Sequence, residues 1–302
     1  MLKLGSLSLP ALQERLAEGL ILRTGPFSFR IRSHQHQVAA GLALLYTDFP
    51  IVDEPGFVDF HVELGLVTGL RRWIRPQVNF WLDGYSPFKP LPADHAFAML
   101  EWGMNWCMVG RAHHYLMLHA AVLERRGACV IMPGEPGAGK STLTAALMLS
   151  GWRLLSDELT LVDRDDGRIA ALARPVSLKN ASIDIIRRFD SQAILGESAY
   201  DTHKGTVAHL RPGADSVAQI DSKGRAAHIV FPKWQADANG AQLRPRAKAD
   251  AFVLLANNAF NYSVLGRRGF ELNAGLIDGS DCWDFSYSQL DDALCAFEGL
   301  CK

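Results

Sequence analysis

Long apolar runs are missing from this chain. No stretch of about 18 apolar residues occurs in its 302 positions, so no membrane-spanning helix is expected. The opening Met1-Leu-Lys-Leu-Gly5 lacks the apolar core of a secretory signal, so export by that route is not expected either. Cysteine is scarce and unpatterned: five residues, at 107, 129, 282, 295 and 301, with no pair at C-x-x-C spacing. An odd, scattered set argues against a disulfide framework and for a reducing compartment, which makes the cytoplasm the expected location. Neither sign of charge is in excess, with 31 Lys and Arg against 32 Asp and Glu. Binding a polyanion needs a basic face, so no nucleic-acid partner is expected. His34, His36 and His61 are not at ligand spacing and come without cysteines, so they read as solvated or core histidines rather than a metal site. There is no internal repeat and no low-complexity tract, which sets aside solenoids and linker-like chains. What remains is a balanced sequence, 48% hydrophobic, long enough for one large domain or two.

Against these absences stands one dense motif. Gly134-Glu135-Pro136-Gly137-Ala138-Gly139-Lys140-Ser141 fits G-x-x-x-x-G-K-[ST], the phosphate-binding loop. Ala128 to Pro133 before it is short and apolar and reads as a buried strand. Thr142 to Leu149 after it reads as a helix start, with Leu143, Ala146 and Leu147 on one side. N–H groups in such a loop and at the helix N-terminus point at an anion, and the helix dipole favours negative charge there. The glycines let the backbone wrap phosphates without Cβ clashes. In this pattern Lys140 reaches the β- and γ-phosphates and the Ser141 hydroxyl ligates Mg²⁺, with Thr142 a second hydroxyl on the helix side. ATP and Mg²⁺ are the expected cofactors.

Two flanking segments supply further candidates. Leu116 to Glu124 reads as a strand and Arg125-Arg126-Gly127 as a tight turn. A hairpin centred on Arg126 pairs Glu124 with Ala128 and sets His119 opposite Pro133, beside the mouth of the loop. After the helix, Gly151 is a stop and Trp152 to Ser156 reads as the next strand. A right-handed crossover makes it parallel to the loop strand, so Asp157 and Glu158 at its end face the same crevice. Two adjacent carboxylates there suit a magnesium ligand plus a general base.

The run from His119 to Arg125, the loop, and Arg153-Leu-Leu-Ser-Asp157-Glu158 together resemble the catalytic core of bacterial HPr kinase/phosphorylase. They resemble still more the HprK-related kinases, which share a PEP-carboxykinase-like P-loop fold. The resemblance is strong over residues 116 to 180 and continues through Lys204-Gly205-Thr-Val-Ala-His, Phe231-Pro232-Lys233-Trp234 and Asn258-Ala-Phe-Asn261-Tyr262. It implies that His119 and Asp157 activate the attacking hydroxyl, while Glu158 and Ser141 serve the metal. The chain departs from that family at Glu158, where the family has aspartate, and in lacking its glycine-rich phosphorylase signature. HPr as acceptor and a dephosphorylating reaction are therefore not implied. The family's founding member is a ring hexamer, which leaves a homo-oligomer open.

The rest of the chain frames this core. Residues 1–95 read as a smaller α+β region: helices at Ala11 to Gly19 and His36 to Leu45, and strands at Leu20 to Arg23, Phe27 to Arg32, Phe57 to Leu64 and Gln77 to Leu82, with an extended linker from Tyr85 to Pro92. Residues 96–302 read as the P-loop kinase domain. It opens with a core helix from Asp94 to Arg111, which Asp94 caps, and the turn after it carries His113 and His114. Leu159 to Val162 reads as continuing the Asp157 strand. Arg174 to Asn180 leads into a helix from Ser182 to Phe189. Residues 190 to 226 read as a long polar loop, a candidate lid, carrying Lys204. Lys179, Lys204 and Arg211 are the candidate cations for the acceptor side, with Arg174 and Lys233 behind them. A strand at His228 to Pro232, helices over Ala247 to Ala259 and Tyr262 to Ile277, and a strand at Trp283 to Tyr287 follow, and Ser288-Gln-Leu-Asp291 reads as a capping box for the last helix. The expected fold is α/β, an HPr kinase and PEP-carboxykinase-like P-loop domain after an α+β region. The expected activity is transfer of the γ-phosphoryl group of ATP to a hydroxyl of a protein or peptide, serine first. The alternatives are a small-molecule hydroxyl as acceptor and a nucleotide-binding switch with slow ATP hydrolysis.

Overall fold

The computed structural model describes residues 2–53, 56–69, 71–135 and 137–301. The chain begins β1 (Leu2–Lys3), α1 (Leu9–Glu18), β2 (Leu20–Thr24), β3 (Phe27–Ser33), α2 (His36–Leu45), β4 (Pro50–Ile51), β5 (Phe60–Leu66), α3 (Arg71–Ile74), β6 (Gln77–Leu82) and β7 (Leu91–Pro92). The strands form one sheet in the order β1-β4-β2-β3-β5-β6-β7, in which β3 and β5 run parallel. Alternation in the sequence sets its inner face. Phe27, Phe29 and Ile31 of β3, and Phe60, Val62 and Leu64 of β5, are buried in turn. Ser8 caps α1 by accepting from the Ala11 N–H, and Gly19, at φ +113, ends it.

Helix α4 (Ala96–Arg111) closes this core, burying Met99, Met104, Cys107 and Met108 in it. Met117, Leu159 and Leu161 from later in the chain join the same cluster. Gly103 lets α4 lie on the sheet: a Cβ there would meet the Phe80 ring at 2.2 Å.

The chain continues with β8 (Tyr115–Leu118), β9 (Ala120–Arg125), β10 (Ala128–Pro133), α5 (Lys140–Leu149), β11 (Arg153–Ser156), β12 (Thr160–Asp163), β13 (Ile169–Ala170), β14 (Val176–Lys179) and α6 (Ala181–Phe189). It ends with β15 (Ala199–Thr202), β16 (Gly205–Leu210), α7 (Ala214–Ala218), β17 (Ala226–Trp234), β18 (Gln242–Pro245), α8 (Lys248–Asn257), α9 (Tyr262–Leu265), α10 (Arg267–Asp278), β19 (Asp281–Tyr287) and α11 (Leu290–Leu300). The central sheet has the order β11-β9-β10-β17-β19-β18, with β10, β17 and β19 parallel. One of its faces packs on α5, α6 and α11 through Leu147, Ile186 and Phe297; the other packs on α8 and α10 through Leu255 and Leu276. A sheet covered on both faces explains why these strands read as near-continuous apolar runs. Two small sheets complete the fold, β13-β12-β8 and β14-β16-β15.

Several expectations need correction. The hairpin before the loop turns on two residues, Arg126 (φ +52) and Gly127 (φ +83), so Arg125 pairs with Ala128 and Ala120 pairs with Pro133. A turn with both central residues at positive φ matches strand twist, and it moves His119 one place beyond the end of the ladder. The strands flanking the site are also not continuous. The chain leaves the central sheet at His119, between β9 and β8, and again at Asp157 to Leu159, between β11 and β12. The stretch from 190 to 226 is not a loose loop: β16 is the middle strand of a sheet, and Val207, Ala208, Leu210 and Val217 are buried. Two caps also differ. The last helix is capped from Gln289 without a side-chain bond, because Ser288 Oγ donates to the Ala238 carbonyl instead. Asp94 lies in a short 3-10 turn before α4 and makes no cap bond.

Gly103 gives a test of this packing. Alanine there gains up to about 1 kcal/mol of helix propensity. Overpacking against the fully buried Phe80 costs about 1–3 kcal/mol. Gly103→Ala is expected to lower the midpoint of urea unfolding with an unchanged slope, and a raised midpoint would contradict the close approach of α4 to β6.

Candidate functional site

The loop between β10 and α5 is held from outside by the ends of two parallel strands. The Trp234 N–H at the end of β17 donates to the Ala138 carbonyl at 3.1 Å. The Tyr287 hydroxyl at the end of β19 donates to the Gly139 carbonyl at 3.2 Å. Gly137 and Gly139 have φ near +89 and +85, and a Cβ on Gly139 would meet the Tyr287 hydroxyl at 2.6 Å. With its carbonyls held outward, the loop opens into α5, whose first turn leaves the N–H groups of Lys140, Ser141 and Thr142 without helical partners. Pro136 lies outside the described residues.

A cavity of about 1280 Å³ begins at this turn. Glu135, Gly137, Gly139, Lys140, Ser141 and Thr142 line one side; Gly134 and Ala138 are not among its lining. His119, Glu158, Lys179 and Lys204 line the other. Trp234 and Leu290 add apolar surface to its lining.

His119 owes its place to the break between β8 and β9. Its N–H leaves the sheet and donates to the Asn258 carbonyl at 2.7 Å, and its ring meets the edge of Phe260 at 5.8 Å between centroids. Its Nε2 is 3.1 Å from Lys140 Nζ. An ammonium can only donate, so Nε2 offers its lone pair and the imidazole is neutral. Burial, then the charge on Lys140, lowers the His119 pKa to about 4. Burial likewise lowers that of Lys140, against the pull of Asp157 and Glu158.

The two carboxylates diverge. Asp157, 6% exposed, lies behind the cavity wall with Oδ2 3.4 Å from Ser141 Oγ and accepting from the Ser177 N–H at 3.1 Å. Its Oδ1 is buried with no hydrogen-bond partner. Burial, then Glu158, raises its pKa. Glu158 points into the cavity, where Lys179 Nζ is 3.3 Å from Oε1 and Asn105 Nδ2 donates to Oε2 at 3.2 Å. Burial disfavours its charge, but Lys179 and Lys204 outweigh that and hold its pKa low. The carboxylate beside Ser141 is thus that of Asp157, as its place in the shared crevice predicts, whereas the family resemblance pairs Ser141 with Glu158 at the metal.

The structure brings Lys179 and Lys204 to this cavity but not Arg211. Lys204 sits at the tip of the β15–β16 hairpin with its ammonium 5.8 Å over the Trp102 ring. The Asn180 amide oxygen accepts from the Thr206 N–H at 3.0 Å and ties that hairpin to the start of α6. Arg211 instead pairs with Asp48 at 2.6 Å. Arg174 is buried and engaged with Glu101 at 2.6 Å, and Lys233 is exposed on β17. His113 and His114 do not line the cavity; the His114 ring packs on Tyr115. Among the described residues no cluster of three His, Cys, Asp or Glu could hold a metal ion by itself. The sequence reading passed over Asn105, Ser177, Phe260 and Tyr287. Only Asn105 had a visible signal, as it and Glu101 are polar residues four apart on a mostly apolar helix.

No protein-family model matches this chain, and no curated protein matches it. Among solved structures it is similar to the Hpr(Ser) kinase/phosphatase from Coxiella burnetii, at 13% identity, over 61% of this chain and 96% of that one, with a TM-score of 0.26. So loose a superposition places no side chain, and the reading of the site rests on its own geometry.

The neutrality of His119 is directly measurable. Its imidazole, followed by nitrogen NMR, is expected to stay neutral down to about pH 4. Lys140→Met is expected to raise that midpoint, though not to the ordinary value of about 6.5, because burial remains. The folded pKa lies below the unfolded one, so the stability this group contributes is full above about pH 6.5 and is lost as pH falls toward about 4. A wild-type midpoint near 6.5 would show that the contact with Lys140 is not made in solution.

Proposed function

We propose that this protein transfers the γ-phosphoryl group of ATP to a hydroxyl, as the sequence resemblance to HprK-related kinases suggests. One observation carries the reading. His119, the adjacent Lys140 and Ser141, and Asp157 come from three separate segments and meet at the mouth of one glycine-rich loop. The first turn of α5 and Lys140 are built to receive the β- and γ-phosphates. Lys140 leans on a neutral histidine, and a phosphate would draw it away and free the His119 lone pair.

The donor set fits Mg²⁺. Such an ion is bound by one or two carboxylates and a hydroxyl together with substrate phosphates and water, not by an all-protein cage. Ser141 and Asp157 would hold it, and the buried Asp157 Oδ1 without a partner is the free ligand oxygen this requires. When bound, the ion would neutralise charge developing on the phosphates.

Glu158 faces the cavity, is held charged, and takes the role of general base. The acceptor O–H gives its proton to Glu158, its oxygen bonds to the γ-phosphorus, and the bond from that phosphorus to the bridging oxygen of ADP breaks. Lys179 and Lys204 line the same space and are placed to take up charge spread over the transferring group. The roles of the two acids are thus exchanged relative to the sequence reading: Asp157 serves the metal and Glu158 the acceptor. A cavity of about 1280 Å³ exceeds the 300–1,000 Å³ usual for one small ligand, which suits a nucleotide together with part of a second substrate. A protein or peptide serine is the acceptor we favour; a small-molecule hydroxyl uses the same machinery.

Lys140→Ala is expected to abolish Mg²⁺-dependent ATP turnover, and unchanged ATP affinity and turnover would sink the assignment of the loop. The exchange of acids has its own test. Glu158→Gln is expected to lower kcat by about 10² to 10⁴ with nucleotide binding retained. Asp157→Asn is expected to raise the Mg²⁺ concentration needed for half-maximal nucleotide binding. If the metal requirement shifts in Glu158→Gln and not in Asp157→Asn, the original order of roles is restored.

A further inference from the structure

A chain of buried polar groups runs from the N-terminal core to the catalytic carboxylate. It begins at Tyr46, fully buried at the end of α2, whose hydroxyl donates to Glu101 Oε1 at 2.5 Å. Arg174 meets the same carboxylate through Nη2, 2.6 Å from Oε2, and its Nε is 3.3 Å from the Tyr46 hydroxyl. Its Nη1 donates to Asn105 Oδ1 at 2.6 Å. Asn105 Nδ2 then donates to Glu158 Oε2 at 3.2 Å. Tyr46, Glu101 and Arg174 are each at most 6% exposed.

Two features suggest that this chain serves more than stability. A buried ion pair can often be replaced by apolar residues of similar volume without loss, so Arg174 and Glu101 are not explained by what they add to folding. The Asn105 amide, moreover, can sit only one way. A guanidinium has only donors and a carboxylate only acceptors, so the oxygen must face Arg174 and the nitrogen must face Glu158. Glu101 and Asn105 lie one turn apart on α4, and Arg174 reaches both.

We propose that Asn105 is a positioning residue, which fixes the setting of the Glu158 carboxylate in the cavity and is itself oriented by Arg174, Glu101 and Tyr46. The proposal rests on the reading of Glu158 as the base. Lys179 is a flexible cation that holds one oxygen of Glu158 from the cavity side. Asn105 holds the other from the rigid side, on a helix packed in the N-terminal core. The seat of α4 thereby bears on where the proton is taken.

The test uses the full-length protein, Mg²⁺ and ATP, with water as the acceptor, and compares Asn105→Ala with Asn105→Asp. Alanine removes both contacts. Aspartate keeps an acceptor for Arg174 but repels Glu158. Loss of an orienting partner in the outer shell of a site typically costs about 10- to 100-fold. Both variants are expected to lose at least about tenfold in kcat with the KM for ATP within about twofold, and aspartate is expected to be no better than alanine. If Asn105 only satisfied Arg174, aspartate would restore turnover. Recovery in Asn105→Asp, or wild-type kcat in Asn105→Ala, overturns the proposal. Crystal structures of the wild type and Asn105→Ala provide a readout independent of activity, in which the Glu158 carboxylate is expected to leave its place. Should the wild type turn over no ATP with water as acceptor, the crystal structures decide alone: an unmoved Glu158 in Asn105→Ala overturns the positioning role, while the kinase reading stands or falls separately on the loss of ATP binding in Lys140→Ala.

Discussion

At His119 and at Asp157 to Leu159, two neighbouring strands give up their ladder hydrogen bonds at the same level of the central sheet. β9 and β11 pair side by side, and beyond those residues the chain reappears as β8 and β12, which pair with each other in a different sheet. A polar backbone cannot be left open at such depth, so each break is closed by other means. The Asn258 carbonyl takes the His119 N–H. The Ser156 hydroxyl accepts from the Leu159 N–H at 3.1 Å and donates to the Leu159 carbonyl at 2.7 Å. Thr160 Oγ1 crosses to the Ala120 carbonyl at 2.9 Å. Side chains that would have pointed alternately above and below a sheet are thereby free to point out of its end, toward the loop. The site depends on that paired break more than on the glycine-rich loop alone.

The loop, its strand and its helix could be read from the sequence because each is a local pattern: an apolar run, glycines at fixed spacing, and a helical period. A rule of handedness sets the two acids at the loop's end of the sheet, where Asp157 lies 3.4 Å from Ser141 and Glu158 lines the cavity. What failed were features set by partners distant in the chain. Whether Leu159 to Val162 continues a strand or begins another depends on what pairs with it, and Thr160 pairs with Leu118, 42 positions earlier by residue number. β16 was hidden because its ladder partners are β14 and β15 and because it carries Thr206 and His209 among apolar residues. The one-place error in the hairpin came from the turn. Arg126 does not advertise positive φ, as asparagine would, and a one-residue shift in register decides whether His119 ends a ladder or stands beyond it.

The network from Tyr46 to Glu158 was invisible for the same reason. Its members lie at 46, 101, 105, 158 and 174, and nothing in their local sequence announces a shared hydrogen bond. The pair Glu101 and Asn105 was the only trace, two polar residues one turn apart where a core helix would carry apolar ones. The division at residue 95 obscured it further. α4 was read as the first helix of the kinase domain, yet its apolar side chains share a core with β3, β5 and β6 while its polar pair reaches toward the site.

The electrostatics of the site also form a single arrangement. Lys140, Lys179 and Lys204 line the cavity, with Asp157 and Glu158 drawing on the charge of Lys140, and Lys179 and Lys204 on that of Glu158. A further cation at His119 would be unfavourable, and burial together with Lys140 keeps that ring neutral. Glu158 stays charged because two of the lysines face it, while Asp157, buried and next to Glu158, holds its proton more readily. An incoming anion with a divalent cation would change this balance in one direction: Asp157 gains a positive neighbour and Lys140 a negative one, so each is drawn toward the form that binding requires. Asp157 is thus the carboxyl whose charge an incoming cation would favour, whereas Glu158, held by Asn105 and Lys179, already has its charge.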